Sequence, residues 1–119
     1  MKKLFVVLIL VACGEAKQET LLTPKAFEAK ISSTKDALVL DVRTKEEVNS
    51  GALAGATNIV YDEHFADKLE GLEHKPLFVY CAAGGRSAKA ATILRQKGYT
   101  VFELDGGIKA WKAAGLPVK

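Results

Sequence analysis

A cysteine, two glycines, an arginine and a serine stand together in the segment Cys81-Ala82-Ala83-Gly84-Gly85-Arg86-Ser87, called the Cys81 loop below. The thiolate is the reactive form of cysteine, and nearby amides or cations favour it over the thiol. Glycines let the backbone curl so that successive N–H groups point at one centre. Arg86 adds a permanent positive charge with planar donors that suit an oxyanion. The segment therefore predicts an activated cysteine nucleophile.

The elements around the Cys81 loop would place it at the end of a strand. The apolar run Leu77 to Tyr80 predicts a buried strand, and Ser87 to Lys97 has the apolar spacing of a helix that ends at Gly98. The loop amides and the positive end of this helix would lie over the sulfur and lower its pKa. The alternatives are a buried structural cysteine or an ordinary glycine turn. Neither alternative explains why one loop begins with a cysteine, ends with an arginine and is followed by a serine at the start of the helix.

Strands and helices alternate along the rest of the chain. Thr23 followed by Pro24 opens one helix, and Thr44 with Glu47 forms a capping box that opens another. Such alternation is typical of an α/β domain with a mostly parallel sheet flanked by helices. The predicted helices cover 24–31, 45–51, 64–72, 87–97 and 108–114, and the predicted strands cover 37–42, 58–61, 77–80 and 100–104.

The first residues have the layout of an export signal. Lys2 and Lys3 precede an unbroken apolar run at 4–11, which is too short to span a bilayer as a helix. The ending Leu10-Val11-Ala12-Cys13 resembles a bacterial lipobox, and this resemblance implies cleavage before Cys13 and acylation of its thiol. The alternatives are an ordinary signal peptide or a first strand with an incidental cysteine.

These features divide the chain into three parts. Residues 1–12 are predicted to be a signal peptide, 13–20 a lipidated N-terminus and tether, and 21–119 the folded domain. The expected location is the periplasm or cell envelope, with the lipid on Cys13 as the contact with the membrane. Cys81 would then be the one remaining thiol, which in an oxidising compartment is a liability unless its reactivity is used.

Charge and histidine spacing argue against two other classes of protein. The formal charge is +3, and without Lys2 and Lys3 it falls to 15 basic against 14 acidic residues, or +1. No basic run interleaved with aromatic residues is present, so nucleic acid is not an expected partner. His64 and His74 have no cysteine or carboxylate at ligand spacing, so no metal site is expected.

The Cys81 loop resembles the active-site loop of the rhodanese family, which commonly reads Cys-x-x-Gly-x-Arg-Ser. The similarity extends through most of 38–118 and includes several motifs in the family's order. These motifs are Leu40-Asp41-Val42-Arg43 with Glu46-Glu47, the segment Gly51 to Ile59, Gly98-Tyr99, Leu104-Asp105-Gly106-Gly107-Ile108 with Trp111, and Ala114 to Val118. The resemblance implies a three-layer sandwich with a mostly parallel sheet between helices.

The resemblance also implies a sulfurtransferase cycle without a cofactor. The Cys81 thiolate would take the outer sulfur of a donor such as thiosulfate, become a persulfide and pass this sulfur to cyanide or a thiol. Arg86 would hold the donor's anionic end, and Ala82, Ala83, Gly84, Gly85 and Ser87 would form the substrate-binding loop. Asp41 and Arg43 would support the site, mainly as structure, by bonding to neighbouring backbone and pairing with Glu47. Trp111 and Ile108 are expected in the core.

The sequence departs from the family at two places and leaves two other functions open. Ala52 and Ala54 stand where the family usually has His and Pro, and Ala82 and Ala83 give the loop no cation, so a dianionic donor would rely on Arg86, amides and Lys89. One alternative is a phosphatase or arsenate reductase, but their loops hold five residues between Cys and Arg, and this one holds four. The other is a non-catalytic persulfide carrier or sensor.

Overall fold

The computed structural model describes residues 19–119, so the predicted signal peptide, Cys13 and most of the predicted tether lie outside the described residues. No helix within 19–119 is long and apolar enough to cross a membrane. The strands are β1 (Leu21–Leu22), β2 (Leu38–Asp41), β3 (Thr57–Asn58), β4 (Leu77–Tyr80) and β5 (Val101–Leu104). The α-helices are α1 (Pro24–Ser33), α2 (Lys45–Asn49), α3 (Gly85–Gln96) and α4 (Gly107–Ala113), and a 3₁₀ helix covers Phe65–Leu69.

The five strands form one sheet in the order β1-β5-β4-β2-β3. Every pair among them is parallel, with Leu40 opposite Val79 and Phe78 opposite Phe102 in the centre. Parallel strands end at the same edge of a sheet, where reactive groups of open α/β folds gather. The segments after β2, β4 and β5 therefore lie at one edge, and these segments include Arg43, Cys81 and Gly107.

The hydrophobic core forms two layers, one on each face of the sheet. Alternating residues of β4 point to opposite faces, so Leu77, Val79 and Cys81 pack under α3 while Phe78 and Tyr80 pack under α1 and α4. On the second face, the rings of Phe27 and Phe78 meet edge to face with centroids 5.5 Å apart. The prediction that Trp111 and Ile108 belong to the core is confirmed, since both are buried in this layer. Helices on both sides of the sheet make the predicted three-layer arrangement.

Three predicted elements differ from the structure. The helix expected over 64–72 is only the 3₁₀ helix, because the backbone is already extended at Glu70 and Gly71 follows with φ +84°. The helix expected from Ser87 begins at Gly85, after a left-handed Gly84. The stretch expected at 58–61 is a two-residue strand, Thr57–Asn58. Strand β1 lacked any local pattern, because parallel pairing of Leu21 and Leu22 with β5 defines it.

The segment that departs from the family pattern is tied to the end of the chain. Ala52 N donates to the Lys119 carbonyl at 3.0 Å, and Lys119 N donates back to the Ala52 carbonyl at 2.8 Å. Beside it, an apolar groove of about 180 Å³ lies between α1 and α4 and includes Ala54 and Trp111 in its lining. The backbone bonds to Lys119 hold this segment although Ala52 and Ala54 have small side chains.

Candidate active site

Cys81 lies directly after β4 at the carboxyl edge of the sheet. Its side chain continues the alternation of Leu77 and Val79, so it points to the face covered by α3, and the residue is 1% exposed. Burial alone disfavours a thiolate because a charged sulfur loses its hydration. The groups that face the sulfur therefore decide its chemistry.

The Cys81 sulfur accepts a hydrogen bond from the Gly84 amide, and the thiol donates to the Ser87 hydroxyl oxygen, whose own proton goes to the Gly84 carbonyl. Gly84 N lies 3.0 Å from Sγ, and Ser87 Oγ lies 3.4 Å from it. Burial raises the pKa of the Cys81 thiol, but hydrogen bonds with the Ser87 side chain and with the amides of Ser87, Gly84 and Ala83 outweigh burial, and the net pKa is lowered. Of the predicted loop amides, that of Gly84 makes a hydrogen bond with the sulfur, and those of Ala83 and Ser87 contribute to the lowered pKa.

The backbone at the start of α3 is shaped to bring these amides inward. Gly84 has φ +116°, a left-handed conformation that a side chain would strain, and it serves as the N-cap without any side-chain cap. The first-turn amides of α3 are thus not used by a capping side chain, and no acidic residue stands in that turn. A twelve-residue helix with a free N-terminus stabilises a negative charge that lies next to its first turn.

Helix α4 holds the outer side of the same loop. Ile108 N donates to the Cys81 carbonyl at 2.9 Å, and Lys109 N donates to the Ala82 carbonyl at 3.1 Å. Gly107, with φ +64°, lies so close that a Cβ there would collide with the Ala82 carbonyl group and the Cys81 carbonyl oxygen. These contacts fix the outer side of the loop, and the Ala83 amide, which follows the Ala82 carbonyl, is among the groups that lower the pKa of Cys81.

Arg86 makes a two-pronged ion pair with Glu47. Arg86 Nη1 lies 2.7 Å from Glu47 Oε1, and Nη2 lies 2.9 Å from Oε2. The hydrogen bond to Arg86 is the main cause that lowers the pKa of Glu47 to about 2, with the Thr44 amide adding to it. The Glu47 carboxylate lies at the start of α2, where it also completes the predicted capping box with Thr44. The positive charge of Arg86 is therefore balanced in the protein itself.

Asp41 and Arg43 form a buried network at the end of β2. Arg43 Nη2 lies 2.6 Å from Asp41 Oδ2, and the Tyr80 hydroxyl donates to the same oxygen at 2.5 Å. Arg43 also donates to the carbonyls of Glu47 and Gly51. The prediction that Arg43 would pair with Glu47 is wrong at the level of the carboxylate, because that group is bound by Arg86 while Arg43 reaches only the Glu47 backbone.

Comparison with known proteins agrees with this geometry. Residues 23–114 match the model of the rhodanese-like domain. A sulfurtransferase of Allochromatium vinosum is 32% identical over 95 residues, covering 79% of this chain and 89% of that protein. The chloroplastic thiosulfate sulfurtransferase 16 of Arabidopsis thaliana is 40% identical over 93 residues, covering 67% of this chain and 78% of that protein. The chain belongs to the rhodanese-like family.

The fold of this rhodanese-like domain is likewise shared with solved structures. A rhodanese-related protein of Thermoplasma volcanium superposes with a TM-score of 0.76 at 33% identity, covering 83% of this chain and 96% of that chain. The three-layer α/β fold with a parallel five-stranded sheet is therefore the rhodanese fold, as the sequence motifs implied.

The rhodanese site uses three residues whose part in it the sequence did not reveal. Glu47 was recognisable as a capping residue, but its pairing with Arg86 joins positions 39 apart in the chain. Tyr80 has the pattern of an apolar strand residue, yet its hydroxyl also accepts from Leu53 N at 3.1 Å. Gly107 has the pattern of a turn, and its contact with Ala82 is tertiary. Each depends on elements meeting in space, for which no local pattern exists.

Other parts of the described surface offer no comparable chemistry. A depression of about 770 Å³, with Asp67, His74, Lys97 and Tyr99 in its lining, lies among segments that precede β4 and β5. It is therefore at the opposite end of the sheet from Cys81. Among residues 19–119, no group of three or more His, Cys, Asp or Glu is arranged to hold a metal ion.

Proposed function

We propose that this rhodanese is a sulfurtransferase that carries sulfane sulfur as a persulfide on Cys81. The observation that supports this most is the environment of one sulfur atom, which is buried at a strand end and approached by the amide of Gly84 and the hydroxyl of Ser87. Sulfurtransferases among its relatives support the reaction class. The donor can be a small sulfane compound such as thiosulfate, and the acceptor cyanide or a thiol.

In the proposed cycle the Cys81 thiolate attacks the outer sulfur of thiosulfate. A new S–S bond forms at Cys81, the S–S bond of thiosulfate breaks, and sulfite leaves with the electron pair. The transferred sulfur remains as a persulfide anion, which the amides of Ala83, Gly84 and Ser87 are placed to stabilise. A nucleophilic acceptor then attacks this outer sulfur, and the Cys81 thiolate is regenerated.

The size of the loop favours a sulfur atom over a phosphoryl group. Four residues separate Cys81 from Arg86, and the sulfur itself is almost fully covered. A tetrahedral phosphoryl group would need several more donors around a larger volume, and the Arg86 guanidinium is already bound to Glu47. The phosphatase or arsenate reductase alternative lacks the free guanidinium that it would need.

Intact-mass measurement tests the proposal. Thiosulfate should add one sulfur, roughly 32 Da, to the wild-type protein, and cyanide should remove it with release of thiocyanate. Cys81→Ser should show neither change, because a hydroxyl at this position is not ionised at neutral pH. The thermal unfolding of Cys81→Ser provides the control that the fold is intact.

The outcomes separate the enzyme from a carrier. Repeated turnover with cyanide supports a sulfurtransferase, whereas an adduct that no small acceptor removes supports the persulfide carrier. A wild-type protein that gains no sulfur from thiosulfate or from a persulfide donor contradicts both.

We also propose that the protein works at the cell envelope, attached through a lipid on Cys13. Support comes from the sequence alone, namely Lys2 and Lys3, the apolar run at 4–11 and the lipobox-like ending at Cys13. Membrane fractionation of the wild type and Cys13→Ser tests this, and equal recovery of both in the membrane fraction would contradict acylation.

A further inference from the structure

We propose that Glu47 sets the donor specificity of this site, by neutralising Arg86 and so favouring an organic persulfide over the thiosulfate dianion. This inference rests on the proposed sulfur transfer at Cys81 and adds to it the class of donor. Glu47 is outside the Cys81 loop and does not touch the sulfur, so its role is to determine the charge that a donor meets.

The ion pair between Glu47 and Arg86 is built to persist. Both guanidinium Nη atoms meet both carboxylate oxygens, at 2.7 and 2.9 Å, a geometry that gives an Arg–carboxylate pair its specificity. The carboxylate is additionally held by the Thr44 amide at 3.0 Å. With a pKa of about 2, Glu47 stays ionised at any pH at which the enzyme would work. Arg86 thus has a partner before any donor arrives.

The rest of the loop supplies little positive charge to replace Arg86. Ala82 and Ala83 have uncharged side chains. Lys89 in α3 and Lys109 in α4 are exposed, and water and salt screen exposed ammonium groups strongly. Asp105, which directly follows β5, is also exposed and adds a negative charge at the same edge of the sheet. Among the described residues, the groups facing the sulfur are therefore amides and a hydroxyl.

The charge of the leaving group distinguishes the two donor classes. Thiosulfate carries two negative charges when it approaches the Cys81 thiolate. After the transfer, the departing sulfite also carries two negative charges. A persulfide R–S–SH reacts when the Cys81 thiolate attacks its outer sulfur, the S–S bond breaks, and R–S⁻ leaves with the electron pair while the proton stays on the transferred sulfur. This path places one negative charge, not two, on the leaving group. A site that consists of amides and an arginine neutralised by Glu47 therefore stabilises the singly charged leaving group of a persulfide better than the doubly charged sulfite.

The test measures persulfide formation on Cys81 by intact mass, using the full chain. The donors are thiosulfate and the persulfide of 2-mercaptoethanol, whose organic group carries no charge. The variant is Glu47→Gln, which removes the charge but can keep the capping box, since Gln serves there as well as Glu. We expect its rate constant for thiosulfate to rise roughly threefold to fivefold relative to that for the persulfide, the size of a partly exposed charge interaction.

The matched control is Glu46→Gln. Glu46 is the neighbouring residue in α2, is exposed, and makes no ion pair with any of residues 19–119. Its substitution changes the net charge equally and should leave the ratio of the two rate constants unchanged. The ratio is the relevant quantity because a more ionised thiolate would accelerate both donors alike.

Salt dependence of the wild type gives a second measurement that needs no variant. A neutralised site predicts that the rate constant for thiosulfate stays flat or rises as sodium chloride is added. A steep fall would mean that a net positive charge attracts the donor, and would overturn the inference, as would an unchanged ratio in Glu47→Gln. In either case sulfur still appears on Cys81, so the proposed function would stand. Absence of any adduct from both donors would instead refute the function and the inference together.

Discussion

Two strand ends at the same edge of the sheet handle buried polar groups in opposite ways. At the end of β2, the Asp41 carboxylate is fully buried and accepts from the Arg43 amide, the Arg43 guanidinium and the Tyr80 hydroxyl. At the end of β4, the Cys81 sulfur is equally buried, but the groups around it are amides and one hydroxyl. The Asp41 carboxylate at the end of β2 is paired with the positive charge of Arg43. A thiolate on Cys81 at the end of β4 would be stabilised by dipoles alone.

This difference separates structure from chemistry. A buried charge with a fixed counter-charge and a full set of hydrogen bonds holds its elements together and stays in one state. Amide dipoles, by contrast, stabilise a negative charge without neutralising it, so a thiolate there stays nucleophilic and the same amides can stabilise the proposed persulfide. The β2 end therefore supports the candidate site, and the β4 end holds the sulfur that we propose to be reactive.

The largest expected effect comes from breaking the β2 network. Asp41→Asn keeps the shape of the side chain but leaves the buried Arg43 guanidinium without its counter-charge, so the free energy of unfolding should fall by about 3 kcal/mol. Urea denaturation measures this. Asp62→Asn removes a carboxylate from an exposed ion pair with Lys68 and should have a far smaller effect. Equal losses in the two variants would contradict the structural role of Asp41.

An intermediate effect is expected from pushing α4 off the Cys81 loop. In Gly107→Ala the new Cβ collides with the Ala82 carbonyl, so the loop shifts and the sulfur loses amide donors. Losing one hydrogen bond to a charged group, about 1.5 kcal/mol, should slow alkylation of Cys81 by iodoacetamide at neutral pH roughly tenfold. The measurement is the alkylation rate followed by mass.

The control for Gly107→Ala is Gly71→Ala. Gly71 has a similar left-handed backbone, with φ +84°, but no atom lies within 4 Å of a Cβ placed there. It therefore reproduces the backbone strain without the collision. If both variants slow alkylation to the same extent, the contact between Gly107 and Ala82 does not position the loop.

The smallest effect is a shift in the pH profile of Ser87→Ala. The hydrogen bond with the Ser87 hydroxyl is one of the interactions that lower the pKa of Cys81. Removing this hydroxyl destabilises the thiolate and moves the pKa of Cys81 upward. The midpoint of the alkylation rate against pH should move to higher pH, and the thiolate fraction at neutral pH should fall. A midpoint that does not move, or that moves to lower pH, would show that the hydroxyl does not stabilise the thiolate.

The order of elements and the position of the loop could be predicted because their signals are local. The apolar runs of β2, β4 and β5 and the Thr23 and Thr44 caps lie in single stretches of sequence, and the structure has each element within a few residues of its expected place. Strand β1 was not predictable, because two residues show no period and only pairing with β5 makes them a strand.

The position of Cys81 at a strand end and the curl of its loop were predictable, but the charge balance around them was not. Cys81 and the curled loop follow from residue types in one segment. Arg86 in α3 binds Glu47 in α2 across 39 positions of sequence, whereas Arg43 binds Asp41 only two residues away at the end of β2. The carboxylates of Asp41 and Glu47 both lie within four residues of Arg43 in the sequence, so the sequence alone does not decide which of them Arg43 binds.

The two hydrogen bonds from α4 to the Cys81 loop also set an order in time. Synthesis of a protein proceeds from the N-terminus, so Cys81 leaves the ribosome before Ile108 and Lys109, whose amides bind the Cys81 and Ala82 carbonyls. A nascent chain that stops before Ile108 cannot make these bonds. The outer support of the Cys81 loop is therefore complete only once α4, which follows the loop by some twenty residues in the sequence, has packed against it.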